Sequence, residues 1–264
     1  MFAFFKRRWL TVNPWKWVGL FLFEFTVVLL GVLVAQQLQE RFELRREADR
    51  FEVTRSVLDE QARSAGTNLI VRGLQADCIK RNLATVREAV RNNLSTDLAD
   101  LTSHPPHPPV SMSVWSSEAA RDARRFLDPE RVQQYDFIAS NAEMVTVSRQ
   151  SEEEWWANVL LATDGAQRLS DRERSDVALA TYKLDHAFEG WSGAVTSFAQ
   201  LLLLLDLEPD VDLIEAYHQG DGVCAAEVRA QLPQLRAGLA TARKNLADMR
   251  GEQRGEDAPS EGEE

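Results

Sequence analysis

Few side chains in this sequence stand in a pattern that suggests chemistry, and Glu24 is the clearest of them. It lies in the apolar run of residues 18–35, whose only other strongly polar residue is Thr26. At helical rise Glu24 is about 9 Å inside that run. An ionised carboxylate near the centre of a bilayer costs ~2.5 kcal/mol or more. We therefore expect Glu24 to be protonated or paired.

One helical face holds Glu24 together with Val28, Gly31 and Ala35, because these positions are spaced at i, i+4, i+7 and i+11. Gly31 and Ala35 form a small-xxx-small step that allows a second helix to approach closely. The pattern predicts a membrane helix packing face, on which Glu24 makes a buried hydrogen-bonded contact to a partner or to a second copy. A protonated Glu24 tolerated in lipid and a proton-carrying Glu24 are the alternatives.

Two cysteines, Cys78 and Cys224, fall on apolar faces of predicted helices. Outside the cytoplasm such a pair favours a disulfide, whereas inside it the two residues would pack as buried thiols. The spacing excludes a Cys-x-x-Cys redox pair.

No motif predicts a catalytic, cofactor-binding or metal site. His104 and His107 have a metal-like spacing, but they stand in a proline-rich stretch without neighbouring Cys or carboxylate ligands. His186 and His218 are isolated. The acidic run 152–154 precedes two tryptophans and, with Ser151, reads as a capping box at a helix start. Phosphate-binding, dinucleotide-binding and nucleophile-elbow motifs do not occur in the sequence, and we do not expect an enzyme.

The charge distribution argues against nucleic acid as a partner. The first 36 residues hold four basic residues and one acid, which leaves 26 basic and 40 acidic residues in the remainder. A surface of that sign repels phosphate groups.

The apolar run is long enough to cross a bilayer, since about 18 to 20 helical residues span the ~30 Å hydrocarbon layer. We predict a transmembrane helix over residues 17–36 in the lipid bilayer, preceded by a short cytoplasmic tail over 1–16. Basic residues lie on both sides of the run, so their count does not fix the orientation. A short basic tail stays inside while a long domain can translocate. The predicted location is the bacterial inner membrane, with the C-terminal domain in the periplasm.

The anchor resembles a bacterial family of uncharacterised single-pass membrane proteins, classed as a domain of unknown function. The resemblance is carried by Glu24, the apolar residues after it, the segment 31–37 (GVLVAQQ) and the charged helix that follows. It covers about the first 65 residues, and beyond them only a helical layout with a tryptophan-containing segment near Trp115. The resemblance implies a single-span topology and no activity.

The rest of the chain predicts an all-α fold, in which the transmembrane helix continues into an extra-membrane helical bundle over residues 37–250. The heptad spacing of Leu44, Phe51, Leu58 and Ala65 extends the anchor helix, which Gly66 and its neighbours bend or end. The sequence also predicts an exposed proline-rich loop at 103–110 and helix starts at Asp128 and Ser170. One helix is predicted from 170 to 207, and a last helix over 222–249 that Pro233 kinks or divides. The acidic tail over 251–264 is predicted to be disordered.

These features favour a membrane-anchored interaction or accessory subunit. Two alternatives are an extracytoplasmic bundle that senses a ligand between its helices, and an ion-coupled single-span subunit in which Glu24 carries protons.

Overall fold

The fold is all-α, as predicted, and all regular elements in the described part of the chain are helices. The computed structural model describes residues 14–256 except His107, with the side chains of 21–249 except those at 44 and 107. The α-helices are α1 (Pro14–Arg91), α2 (Ala99–Thr102), α3 (Glu118–Ala123), α4 (Pro129–Val159), α5 (Asp171–Ala187), α6 (Trp191–Leu204), α7 (Val211–Tyr217) and α8 (Ala225–Glu256), with 3₁₀ turns at Ser113–Ser116, Leu160–Ala162 and Ala166–Arg168.

The chain divides into two compact units, residues 1–53 and 54–264. In the first unit α1 contains one candidate membrane span, an 18-residue window of mean hydropathy 1.9 that no other described residue buries. Its large apolar side chains are solvent-exposed, and their exposed fractions range from 46% at Leu29 to 67% at Phe23. A helix that is apolar on all of its faces is typical of a segment surrounded by lipid.

The second unit has its core along the C-terminal part of α1. Leu58, Leu69, Ile79 and Leu83 of this helix have no exposed surface. Of the bend or end predicted at Gly66, the end is wrong, because α1 continues to Arg91. A Cβ atom at Gly66 would lie 2.8 Å from a methyl group of Leu202, so this glycine lets α6 approach α1 closely.

Local helix signals are confirmed at two starts. The Asp128 side chain accepts a hydrogen bond from the Arg131 amide, with Pro129 as the first residue of α4. Ser170 and Glu173 form the reciprocal capping box of α5. The capping box predicted at Ser151 is wrong, since this residue lies inside α4.

The single helix predicted from 170 to 207 is also wrong. It is divided into α5 and α6 at Gly190, which has φ +83°. Glycine adopts this left-handed conformation without the penalty that a Cβ atom imposes. The break turns the chain so that Trp191 begins a new helix with its ring buried.

The proline-rich loop is only partly exposed, whereas its composition predicts an exposed segment. Pro105, Pro108 and Val110 are buried, and the Asn68 amide donates a 2.6 Å hydrogen bond to the Pro109 carbonyl. At the other end of the unit, Pro233 lies within α8 without dividing it. This helix continues to Glu256, past the predicted start of the tail, and residues 257–264 lie outside the described residues.

Candidate functional site

The predicted packing face of the anchor is open in the described structure. Glu24, Val28, Gly31 and Ala35 are all exposed, and a Cβ atom at Gly31 would meet nothing within 4 Å. Because each helical residue advances about 100°, the four positions lie within roughly 60° of one another. The face therefore combines one carboxylate with two small residues and an aliphatic one.

The polar groups of the apolar run differ in their partners. The Thr26 hydroxyl donates a 2.7 Å hydrogen bond to the Leu22 carbonyl, so the helix itself satisfies it. Glu24 makes no hydrogen bond or ion pair with any other described residue. A hydroxyl bonded within its own helix is readily accommodated in lipid, whereas a carboxylate without a partner is not.

The two cysteines come together although they are 146 positions apart. The structure joins Cys78 and Cys224 as a disulfide, with a Cα–Cα distance of 5.7 Å. Cys78 lies in α1 and Cys224 directly precedes α8, and both are buried. The bond therefore fixes the start of α8 against α1.

A buried ion pair lies nearby that sequence reasoning missed. The guanidinium of Arg72 in α1 contacts the carboxylate of Glu152 in α4 through two bonds of 2.6 and 3.1 Å. The side chains are only 4% and 1% exposed. Ser148 also donates to Glu152 at 2.8 Å, and the guanidinium lies 4.3 Å from the centre of the Phe188 ring. Removing one partner of such a pair strongly destabilises the fold, because it leaves a buried charge without compensation.

One turn further along α1, Gln75 contacts His218, which has no exposed surface. The Gln75 amide nitrogen lies 2.8 Å from Nε2 of His218, and Nδ1 of this ring lies 2.7 Å from the Ile214 carbonyl. A proton on Nδ1 satisfies both contacts, because Nε2 then accepts from Gln75. Burial lowers the pKa of His218, as does the nearby charge of Arg229, while the hydrogen bond to Ile214 opposes the shift.

A sequence signal for these two clusters exists. Asn68, Arg72 and Gln75 are polar residues at i, i+4 and i+7 on the face that Leu69 and Leu83 make apolar. Polar groups at core positions are expected to be hydrogen-bonded. What the pattern cannot supply is the identity of the partners, because Glu152 and His218 are 80 and 143 positions away.

His104 and His186, the remaining histidines that the structure describes, do not form a metal centre with other described residues. The His104 ring packs edge-on against Trp156, with 5.3 Å between the ring centres. His186 is exposed beside Glu189, and His107 lies outside the described residues. No group of three or more His, Cys, Asp or Glu side chains within the described ranges could hold a metal ion.

A groove of about 300 Å³ lies between α6 and α8, with Leu74 of α1 at its base. None of the thirteen residues that line it is charged. The Gln231 amide donates to the Leu74 carbonyl at 3.2 Å, which holds α8 over the base. Small residues widen the groove, and a Cβ atom at Gly238 would meet nothing within 4 Å.

Comparison of the chain with protein-family models, with curated proteins and with solved structures finds no match. The resemblance of the first 65 residues to a single-pass membrane family is therefore still a prediction.

Proposed function

We propose that this chain is a membrane-anchored interaction subunit, whose single transmembrane helix packs through Glu24, Val28, Gly31 and Ala35 on another membrane protein. The observation that carries the proposal is the pairing of an unengaged carboxylate with an open small-residue surface on one face of an apolar helix. A partner that donates a hydrogen bond to Glu24 removes the cost of placing this group in lipid. Gly31 lets the partner's backbone approach closely enough to do so.

The helical domain over residues 54–256 lies, in this proposal, on the periplasmic side of a bacterial inner membrane, with the N-terminus in the cytoplasm. The Cys78–Cys224 disulfide supports this orientation, because disulfides persist in oxidising compartments and are rare in the cytosol.

The test moves the carboxylate around the helix without changing composition. In the double variant Leu22→Glu/Glu24→Leu the acid is displaced by two residues, about 200° around the axis. A second variant, Gly31→Leu/Leu33→Gly, moves the glycine by the same angle. Both keep the hydropathy and the charge of the wild-type run, so insertion into the membrane is matched.

Each chain is tagged, cross-linked in native membranes, purified and analysed by mass spectrometry. We expect a defined set of membrane proteins with wild type that is depleted in both displaced variants. Interhelical polar contacts contribute ~0.6 to 1.7 kcal/mol to helix association. Loss of one such contact therefore lowers the amount of recovered partner roughly 3- to 20-fold when the partner is present below saturation. The same partners at the same yield in all three samples would refute the assignment of this face.

A further inference from the structure

α8 is a long helix that contributes few side chains to the core of the second unit. Between its start and Met249 four residues are buried, namely Ala225, Val228, Leu232 and Leu239. No side chain from 240 to 249 is buried. By comparison, five of the 14 residues of α6 are buried, among them Trp191 and Phe198. Because buried apolar surface supplies most of the stability of a helix in a protein, packing holds α8 only weakly.

The ion pairs that link α8 to the rest of the unit lie at the surface. They are Arg81–Glu227, Arg236–Asp212, Arg236–Glu215 and Arg243–Glu208, and each of these side chains is at least 45% exposed. Exposed pairs of this kind add little stability. Two further bonds run to backbone carbonyl groups, from Arg229 to that of His218 and from Gln231 to that of Leu74.

Two residues also weaken α8 from within. Pro233 lies in the helix interior, where it has no amide to donate to the Arg229 carbonyl and its ring crowds that group. Gly238 follows one and a half turns later, and glycine is the poorest helix former after proline. The helical state of α8 therefore depends on what holds it to its neighbours.

The bond between Cys78 and Cys224 is the covalent tie at the start of α8, and Cys224 has an unusual backbone conformation. Its φ is +65°, in the left-handed region. The other non-glycine residues with positive φ in the described part of the chain are Asn93 and Asp206, whose short polar side chains suit this region. Cysteine lacks that advantage. A residue in such a conformation persists only where its surroundings hold it, and here the bond to Cys78 does so.

A short segment with two glycines joins α7 to α8. It covers residues 218–224, and Gly220 and Gly222 are both exposed. A Cβ atom at either glycine would meet nothing within 4 Å. α7 itself is held by Ile214, which has no exposed surface. The segment can therefore change its backbone angles while α7 stays in place, which allows α8 to move about it.

We propose that the Cys78–Cys224 disulfide is a redox latch, whose reduction lets α8 leave α1 and α6 while the remainder of the second unit keeps its fold. The apolar surface that α8 then uncovers includes Leu74 and Leu203, which line the groove between α6 and α8 and are 4% and 6% exposed while the helix is in place. The latch uses none of the anchor residues, so it can fail while the anchor assignment holds, and the reverse.

The reductant is a dithiol. One of its thiolates attacks a sulfur of the disulfide, which forms a mixed disulfide and releases the other cysteine as a thiolate that takes up a proton. The second thiolate of the reductant then displaces the remaining cysteine. The dithiol leaves as a disulfide, and its two electrons convert Cys78 and Cys224 into two thiols. Cys224 adjoins the glycine segment, whose motion opens its sulfur to attack.

The test is hydrogen–deuterium exchange of the full chain in detergent, read by mass spectrometry of its peptides before and after treatment with dithiothreitol. We expect amides of residues 226–249 to exchange about tenfold faster or more after reduction, because opening of α8 no longer requires a covalent bond to be stretched. Amides of residues 60–90 and of α4 should change by less than about threefold. The variant Cys78→Ser/Cys224→Ser should show the fast exchange of α8 without dithiothreitol and no response to it.

Pro233→Ala supplies an independent arm. It restores the bond from residue 233 to the Arg229 carbonyl and so strengthens α8 without touching the disulfide. After reduction, amides of residues 234–249 should exchange about fivefold more slowly or less in this variant than in wild type. An unchanged rate would contradict the account of α8 as a weak helix that the disulfide retains.

Two further results would overturn the proposal. If α8 keeps its protection after reduction, its non-covalent contacts suffice and the disulfide is not a latch. If α1, α4 and α8 lose protection together, the bond supports the whole unit rather than one helix.

Discussion

His218 is a buried imidazole whose neutral form the fold favours, and the free energy of unfolding of the second unit should therefore depend on pH below about 6.5. Its Nδ1 proton donates to the Ile214 carbonyl and its Nε2 accepts from Gln75. A second proton on Nε2 would face the Gln75 amide nitrogen, which is also a donor. Burial and the charge of Arg229 act in the same direction and lower the pKa.

The sign follows from proton linkage. The folded pKa lies below the unfolded value of about 6.5, so below pH 6.5 the unfolded chain binds more protons than the folded one. The free energy of unfolding then falls as the pH decreases toward the folded pKa. The slope is at most ~1.4 kcal/mol per pH unit, the limit for one titrating proton. Below pH 5 carboxylates begin to titrate and would obscure the effect.

The assay is urea denaturation of the full chain in detergent, followed by circular dichroism at several pH values from 7.5 to 5. His218→Gln keeps an acceptor for Gln75 but has no titrating group, so it should lose stability at neutral pH and lose most of the slope below 6.5. His186→Gln is the control, because this histidine is 77% exposed. A slope in His218→Gln equal to that of wild type would refute the linkage argument.

Two further predictions concern covalent and steric ties in the second unit. Replacing Cys78 with Ala removes a crosslink that closes a 146-residue loop. The chain-entropy relation predicts that the free energy of unfolding falls by about 5 kcal/mol. The measurement is urea denaturation of the variant and of wild type, with and without reductant. Reductant should change the wild type and leave the variant unaffected. Gly73→Ala should destabilise the unit, because the new methyl group would lie 2.6 Å from Val195 and 2.8 Å from the Trp191 carbonyl oxygen. In Gly193→Ala the new methyl group meets nothing within 4 Å. This second variant should stabilise α6 by up to ~1 kcal/mol, because alanine has the higher helix propensity. Equal shifts in melting temperature for the two glycine variants would contradict the packing account.

The sequence predicts those parts of the fold that depend on neighbouring residues. Asp128 and Ser170 start helices because each side chain bonds to a backbone amide three residues ahead, and that contact needs no tertiary structure. The apolar run and the helical class are equally local, since composition and periodicity determine them. Helix ends at glycine are harder to predict. Gly66 and Gly190 are the same residue type in helical sequence, yet only Gly190 breaks a helix.

The difference between these glycines is tertiary. At Gly66 a side chain of α6 fills the space that a Cβ atom would need, whereas at Gly190 nothing lies within 4 Å and the backbone takes the left-handed conformation. Neither fact can be derived from the preceding and following residues. The same limit applies to the proline-rich loop, which composition predicts to be exposed. It is partly buried because Asn68 and Gln75 of α1 donate to its carbonyl groups.

The buried polar face of α1 connects these exceptions. Asn68 bonds the proline-rich loop, Arg72 bonds α4, and Gln75 bonds both the loop and the residue that follows α7. A wholly apolar face would let neighbouring helices slide along α1 with little change in buried area, whereas a shift of one turn here would leave buried charges and amides unpaired. We infer that these residues fix the register in which α4 and α7 pack on α1.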